Sequence, residues 1–226
     1  MNIILVIAAH PDDEVLGVGG TVARRTAEGD TAYALILGEG QTSRFERRQK
    51  AEPDLIESLH KDSIAAAKIL GYRDVYFGDF PDNRFDSVDL LDIVKFVEKY
   101  IEKLKPDIIF THFNGDLNVD HQITNKAVLT AARPQGNYSA AQIFAFETVS
   151  STEWNFGSRQ VFCPNVFVDI GSYFPIKCSA MEKYKSELRT FPHPRSLAML
   201  EYAAHRWGGA VGREYAEAFE LLRMVD

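Results

Sequence analysis

Residues 3–9, IILVIAA, form a near-unbroken apolar run that stops abruptly at His10-Pro11-Asp12-Asp13-Glu14. An apolar run of that length, without alternation, predicts a parallel β-strand buried on both faces. Parallel strands need crossover connections, usually helices, so this one segment points to an α/β architecture. A histidine and three carboxylates at the strand's end put polar chemistry at the edge of that core.

The rest of the chain reads in the same rhythm. A helix is expected over 14–28, ending near Gly29, and a strand over 32–37. Residues 38–53 are polar and irregular. A helix follows over 54–70, with Ile56, Leu59, Ile64, Ala67 and Leu70 at helical spacing and Gly71 as its stop. Residues 73–77 predict a third strand. Residues 87–104 predict an amphipathic helix facing inward through Leu90, Leu91, Val94, Val97 and Ile101. Strands are expected at 107–112, 142–147 and 165–170, with a helix over 120–133. Helices are expected at about 175–189, 196–206 and 212–223. The alternation predicts a Rossmann-like, mostly parallel sheet with helices on both faces, and 1–226 as a single domain. In a doubly wound sheet with strand order 3-2-1-4, the order reverses between strands 1 and 4, and a crevice opens at their carboxyl ends. The loop His10–Asp13 and the loop His112–His121 would then lie side by side.

Two imidazoles and a carboxylate, His10, Asp13 and His121, suit Zn²⁺ and leave a position for water, as in catalytic zinc sites. A zinc ion acidifies water and polarises a carbonyl. Asp12, beside a ligand, could serve as general base. Glu14 could orient His10 from behind. The competing account is a solvated turn whose acidic residues complement a helix N-terminus. A net charge of −7 disfavours a nucleic-acid surface. The two cysteines, Cys163 and Cys178, form no CxxC and read as reduced thiols of a cytoplasmic protein. The apolar N-terminus is too short to span a bilayer and lacks the basic start of a signal peptide.

AHPDDE, followed by LGVGGTV, GEG and NVDHQ, resembles the LmbE-like (PIG-L) family of zinc-dependent N-acetylglucosaminyl de-N-acetylases, from Ile3 to about Phe219. The resemblance implies His10, Asp13 and His121 as zinc ligands and Asp12 as catalytic base. It implies hydrolysis of an acetamide to acetate and a free amine. Many members carry a histidine three residues before the third ligand; this chain has Asn118. An asparagine can donate a hydrogen bond to an oxyanion but cannot act as a general acid. His112, His193 or a proton recycled by Asp12 would then serve the leaving amine. A hydratase or lyase on the same fold, or a metal- or ligand-binding protein without turnover, are the alternatives. His/Asp ligands also accept Fe²⁺ and other divalent ions.

Further candidates stand beside these. Family likeness gives the GDFPDN loop, with Asp79, Asp82 and Asn83, a role in contacting sugar hydroxyls, Asp82 foremost; a plain Pro-Asp-Asn turn is the alternative. His60 lies near where relatives carry a substrate-binding arginine, or is simply a helix-surface histidine. Arg44, with Arg47, Arg48 and Lys50, could grip a phosphate on an activated sugar, or form a solvated basic face. In Phe191-Pro192-His193-Pro194-Arg195-Ser196 two prolines present His193 as a catalytic candidate and Arg195 as a substrate contact, with Ser196 as N-cap. Glu187 is a weaker candidate near the metal. Gly17, Gly19 and Gly20 have the wrong spacing for a dinucleotide fingerprint and suit close helix packing. The partner expected is a small amino-sugar or sugar conjugate, with no nucleic acid and no membrane span; a homo-oligomer is compatible with the sequence.

Overall fold

The computed structural model describes residues 1–44, 53–134, 138–157 and 159–226. The strands are β1 (Ile3–Ala8), β2 (Thr31–Gly38), β3 (Asp74–Phe80), β4 (Ile108–His112), β5 (Gln142–Phe146), β6 (Val166–Asp169) and β7 (Ala216–Met224). The helices are α1 (Asp13–Ala27), α2 (Pro53–Leu70), α3 (Leu90–Leu104), α4 (Val119–Ala131), α5 (Phe174–Met181) and α6 (Leu197–Ala210).

One seven-stranded sheet runs in the order β3-β2-β1-β4-β5-β7-β6. The first five strands are parallel, and β7 is antiparallel to both β5 and β6. The expected 3-2-1-4 reversal is therefore present, with Ile4 opposite Ile108 and Val6 opposite Phe110.

β1 is apolar throughout because both its faces are covered. Ile4 and Val6 join a core with α1, α2, α5 and α6, while Leu5 and Ile7 join a second core with α3 and α4. The glycines of α1 bring that helix against its neighbours. A Cβ on Gly17 would meet the Phe146 ring at 2.2 Å, and one on Gly20 would meet Ile170 at 2.8 Å. Close packing is thus the use of these glycines.

Three expectations need correction. Residues 212–223 are not a helix: 216–224 form β7. The segment AEAFELLRM is rich in helix formers, but packing outweighs propensity here. It fills the gap between β5 and β6, with Phe219 against Phe110 and Phe144. Its inward position Glu217 hid the strand's alternation, because a buried carboxylate occupies a core site. Glu217 accepts from the N–H groups of Gly20 and Thr21 at 2.9 and 2.7 Å and from Lys177 Nζ at 2.6 Å; Lys177 also donates to the Leu16 carbonyl. The helix expected at 175–189 ends at Met181 and continues as turns. In α3 the buried face is Ile93, Val94, Val97 and Ile101, whereas Leu90 and Leu91 are exposed, as is Ile64 in α2.

Candidate active site

The carboxyl ends of β1 and β4 meet at the bottom of a cleft of about 200 Å³. It is lined by His10, Asp12, Asp13, Gln41, Asp82, Asn83, Asn118, His121, Ser150, Glu187 and Arg195, among others. The chain leaves β1 in a tight turn. Asp13 Oδ2 accepts from the His10 N–H at 2.8 Å, and Asp12 stands at φ 101 as the residue before α1. A non-glycine residue in that region costs about 1–3 kcal/mol. The Asp12 carbonyl accepts from the N–H of Val15 and Leu16, so the start of the helix holds the strained residue in place.

His10 Nδ1, Asp13 Oδ2 and His121 Nε2 converge. His10 Nδ1 is 3.3 Å from His121 Nε2 and 3.4 Å from Asp13 Oδ2, and His121 Nε2 is 3.3 Å from Asp13 Oδ2. Ligands about 2 Å from a tetrahedral ion lie about 3.3 Å apart, so this donor set fits a metal of zinc's size. A second group shares His10 through its other nitrogen, with Asp82 and Asp120. His10 Nε2 lies 2.9 Å from Asp120 Oδ2 and 3.3 Å from Asp82 Oδ1. That side fits a carboxylate orienting an imidazole rather than a second ion.

His121 is fixed from behind as well. Its Nδ1 lies 3.1 Å from Asp116 Oδ1. Asp116 in turn accepts from the Asn118 N–H at 2.8 Å, from Thr152 Oγ1 at 2.6 Å and from Ser151 Oγ. His112 stacks on His121 with ring centroids 3.9 Å apart. Its Nε2 accepts from the Ala9 N–H at 2.9 Å, and Nδ1 lies 3.1 Å from Thr148 Oγ1.

The charges set each group's proton affinity. Burial lowers His121, but the Asp13 and Asp116 carboxylates more than offset this and lift it to about 9. His10 is likewise raised well above the usual imidazole range: burial opposes, and Asp120 and Asp13 prevail. Burial, with the charge of His121, pushes His112 down to about 4, so it is a neutral ring. Burial would raise Asp13, but His121, His112 and His10 hold it well below the carboxylate range. Asp12 is pushed well up, chiefly by burial; the Arg195 guanidinium opposes, and the carboxylates of Asp13, Glu187 and Glu14 reinforce. Arg195 Nη1 reaches Asp12 Oδ2 at 3.2 Å and Glu187 Oε2 at 2.8 Å, and its Nε donates to Ser150 Oγ at 2.8 Å.

Of the sequence candidates, His10, Asp12, Asp13, Asp82, Asn83, Asn118, His121, Glu187 and Arg195 all line the cleft. Asn118 is also the N-cap of α4: Oδ1 accepts from the Asp120 N–H and Nδ2 donates to Asn83 Oδ1, both at 2.8 Å. Glu14 stands behind Asp12, accepting from its N–H at 3.1 Å and from the Tyr184 hydroxyl. His60 and His193 stand outside the described lining. His60 stacks on Phe77, centroids 4.0 Å apart. His193 meets Trp154 edge-on, and its Nδ1 accepts from the Arg195 N–H at 3.1 Å. The side chain of Arg44, and Arg47, Arg48 and Lys50, lie outside the described residues. Sequence reasoning missed Asp116 and Asp120. Their signal was the GDLNVDH spacing, with carboxylates five residues and one residue before His121.

Comparison with known proteins gives the chain's relatives. The sequence profile of PIG-L, GlcNAc-PI de-N-acetylase, matches residues 5–132. An uncharacterized deacetylase of Escherichia coli (strain K12) is 31% identical over 189 residues, 81% of this chain and 90% of that protein. A probable N-acetyl-α-D-glucosaminyl L-malate deacetylase 2 of Bacillus anthracis is 24% identical over 83% of this chain and 82% of its own length. Among solved structures, a conserved protein of Thermus thermophilus matches with TM-score 0.79 and 25% identity, over 100% of this chain and 97% of that one. The 4-carboxy-2-hydroxymuconate hydratase of Pseudomonas putida also matches with TM-score 0.79, at 21% identity over 100% and 99% of the two chains, which speaks to the fold alone.

Proposed function

The chain belongs to the PIG-L (GlcNAc-PI de-N-acetylase) family, and from that membership we propose that it is a metal-dependent hydrolase removing an N-acetyl group from an amino-sugar substrate. The observation that carries this reading is the convergence of His10 Nδ1, Asp13 Oδ2 and His121 Nε2 within 3.4 Å of one another, with the Asp12 carboxylate in the same cleft. His10, Asp13 and His121 would hold the ion; Zn²⁺ is our assignment, with Fe²⁺ as the other divalent candidate. Bound there, such an ion supplies Lewis acidity toward water and an amide carbonyl.

The chain's own residues do the rest. Asp12, whose carboxylate lines the same cleft as the three ligands, takes the proton of the attacking water. Arg195 keeps the Asp12 carboxylate oriented. The water oxygen forms the new bond to the acetyl carbon, the carbon–nitrogen bond breaks, and acetate and an amine leave. The second Nδ2 hydrogen of Asn118 is a candidate donor to the carbonyl oxygen. The amine's proton comes from Asp12. His112 is fully buried with Nε2 occupied by the Ala9 N–H, and neither it nor His193 lines the cleft. Asp82 and Asn83 are our candidates for sugar hydroxyls. The unit performing this is read as the whole of 1–226. Its setting is read as the cytoplasm, supported by two unbridged thiols, Cys163 and Cys178. Among the described residues no helix is long and apolar enough to cross a membrane.

The test is acetate release from a panel of N-acetylated sugars by the zinc-loaded protein. Acetate with one equivalent of amine supports the reading, and no release across the panel sinks it. A hydratase would give a single product heavier by one water.

A further inference from the structure

Asp12 stands where a carboxylate is both needed and unwelcome. It is the chain neighbour of Asp13, it is buried, and it lines the same cleft as His10, Asp13 and His121. A cation held by those three residues attracts any further carboxylate in the cleft, and cation affinity rises with the number of charged ligands. A fourth protein ligand would close the open position that separates a catalytic zinc site from a structural one. A base beside such an ion therefore has to be held off it.

Arg195 has the contacts to do this. Its Nη1 lies 3.2 Å from Asp12 Oδ2, and among the described residues no other side chain is bonded to the Asp12 carboxylate. The guanidinium is fastened at two further points. Glu187 Oε2 accepts from Nη1 at 2.8 Å, and Ser150 Oγ accepts from Nε at 2.8 Å. Both anchors are buried, so these contacts are little screened by salt. Both are also held from behind. Glu187 Oε1 accepts from Gln41 Nε2 at 2.7 Å, and the Ser150 N–H donates to Glu153 at 2.7 Å. The Arg195 backbone is tied as well, its N–H donating to His193 Nδ1 at 3.1 Å. A planar guanidinium bonded through two nitrogens fixes direction as well as charge. The Asp12 carboxylate is thus bound to a group that cannot move with it toward the three ligands.

We propose that Arg195, anchored by Glu187 and Ser150, is a positioning residue that holds the Asp12 carboxylate off an ion bound by His10, Asp13 and His121, and so keeps the remaining position on that ion open to water. Without this tether Asp12 becomes a ligand, and the site gains affinity as it loses activity. The need for an open position rests on the deacetylase reading above, whereas metal affinity is read independently of turnover.

The experiment measures Zn²⁺ affinity by chelator competition, and kcat for acetate release, in wild type, Arg195→Ala, Asp12→Asn and the double variant. Arg195→Ala should bind Zn²⁺ about ten-fold tighter or more, while kcat falls by about 100-fold or more. In the Asp12→Asn background the same substitution should change Zn²⁺ affinity by less than about two-fold. The visible absorption of the Co²⁺-loaded protein should shift on Arg195→Ala in the wild-type background and not in the Asp12→Asn one. Unchanged or weaker Zn²⁺ binding by Arg195→Ala, beside a wild type that releases acetate, overturns the tether and leaves the deacetylase reading standing; weaker binding is what simple damage to the cleft produces. Tightening that persists in the Asp12→Asn background overturns it too, since it then reports only a positive charge removed from near the ion. Release of acetate by wild type from no N-acetylated sugar overturns the deacetylase reading, and the open position with it.

Discussion

Asp120 lies against the far side of His10, its Oδ2 2.9 Å from Nε2, so that Nδ1 is the nitrogen turned toward Asp13 and His121. The other oxygen of Asp120 accepts from the Phe85 N–H at 2.9 Å, which locks the carboxylate itself. A carboxylate in this position selects the ring's tautomer and raises the basicity of the coordinating nitrogen. Asp120→Asn should therefore weaken metal binding by about 10- to 100-fold with little change in fold. Competition with a chromophoric chelator measures this; an unchanged metal Kd would remove Asp120 from the metal's support.

Asp12 is predicted to matter for turnover and not for metal uptake. Asp12→Asn keeps a hydrogen-bonding group of the same shape but cannot take up a proton. kcat should fall by about 10²- to 10⁴-fold, with zinc stoichiometry unchanged. Steady-state rates alongside metal analysis decide it, and a variant with more than a tenth of wild-type kcat would exclude Asp12 as the base.

Metal binding should release protons. In the metal-free protein the surrounding carboxylates keep His121 protonated to about pH 9 and His10 well above its usual range. Only a neutral imidazole can be a ligand, so the proton has to leave. Apparent affinity should rise with pH and level off above about 9. Calorimetry at pH 7 in buffers of differing ionisation enthalpy should report release of about one proton or more per ion. Binding enthalpies that do not vary with the buffer would contradict it.

Much of this was legible in the chain itself, for physical reasons. The run 3–9 shows no alternation because both faces of β1 are buried, and that fixed its place mid-sheet. The neighbouring of β1 and β4 brought His10 and His121 together across about 110 residues. The GDLNVDH spacing carries Asp116 and Asp120, but each acts through an imidazole, His121 and His10 respectively, and only the fold shows which ring each carboxylate stands behind. His60 and His193 are the reverse case: residue type suggested chemistry, while ring contacts with Phe77 and Trp154 hold them elsewhere. β7 was misread because its pattern is set by partners distant in sequence, above all Lys177 and two amides of α1 around Glu217.

That buried pair carries a stability prediction. Lys177 and Glu217 are both buried, and their ammonium–carboxylate distance is 2.6 Å. Removing one partner strands the other's charge, at a cost of about 3–5 kcal/mol. Lys177→Met should lower unfolding free energy by that order in urea. Adding Glu217→Gln should recover part of it, since the stranded charge is then gone. Additive losses in the double variant would show that the two side chains act independently.

Glu14 gives the protein's stability a pH dependence of definite sign. Burial raises its carboxyl to about 7 against an ordinary 4.5, even though the Tyr184 hydroxyl and the Asp12 N–H favour the charged form. A group whose proton affinity is higher in the folded state stabilises the fold fully below its unfolded pKa. That contribution is lost as pH rises through the folded value. In chelator-treated protein the loss runs from about pH 4.5 to a little above 7, and amounts to at most about 3 kcal/mol. Glu14→Gln keeps an acceptor for Tyr184 but never ionises. Its stability relative to wild type should therefore climb between about pH 5 and about pH 8 by up to that amount, as read from urea unfolding at both pH values. A stability difference that is the same at the two pH values would mean that Glu14 enters the folded protein with its ordinary proton affinity, and that its burial against Tyr184 carries no charge cost.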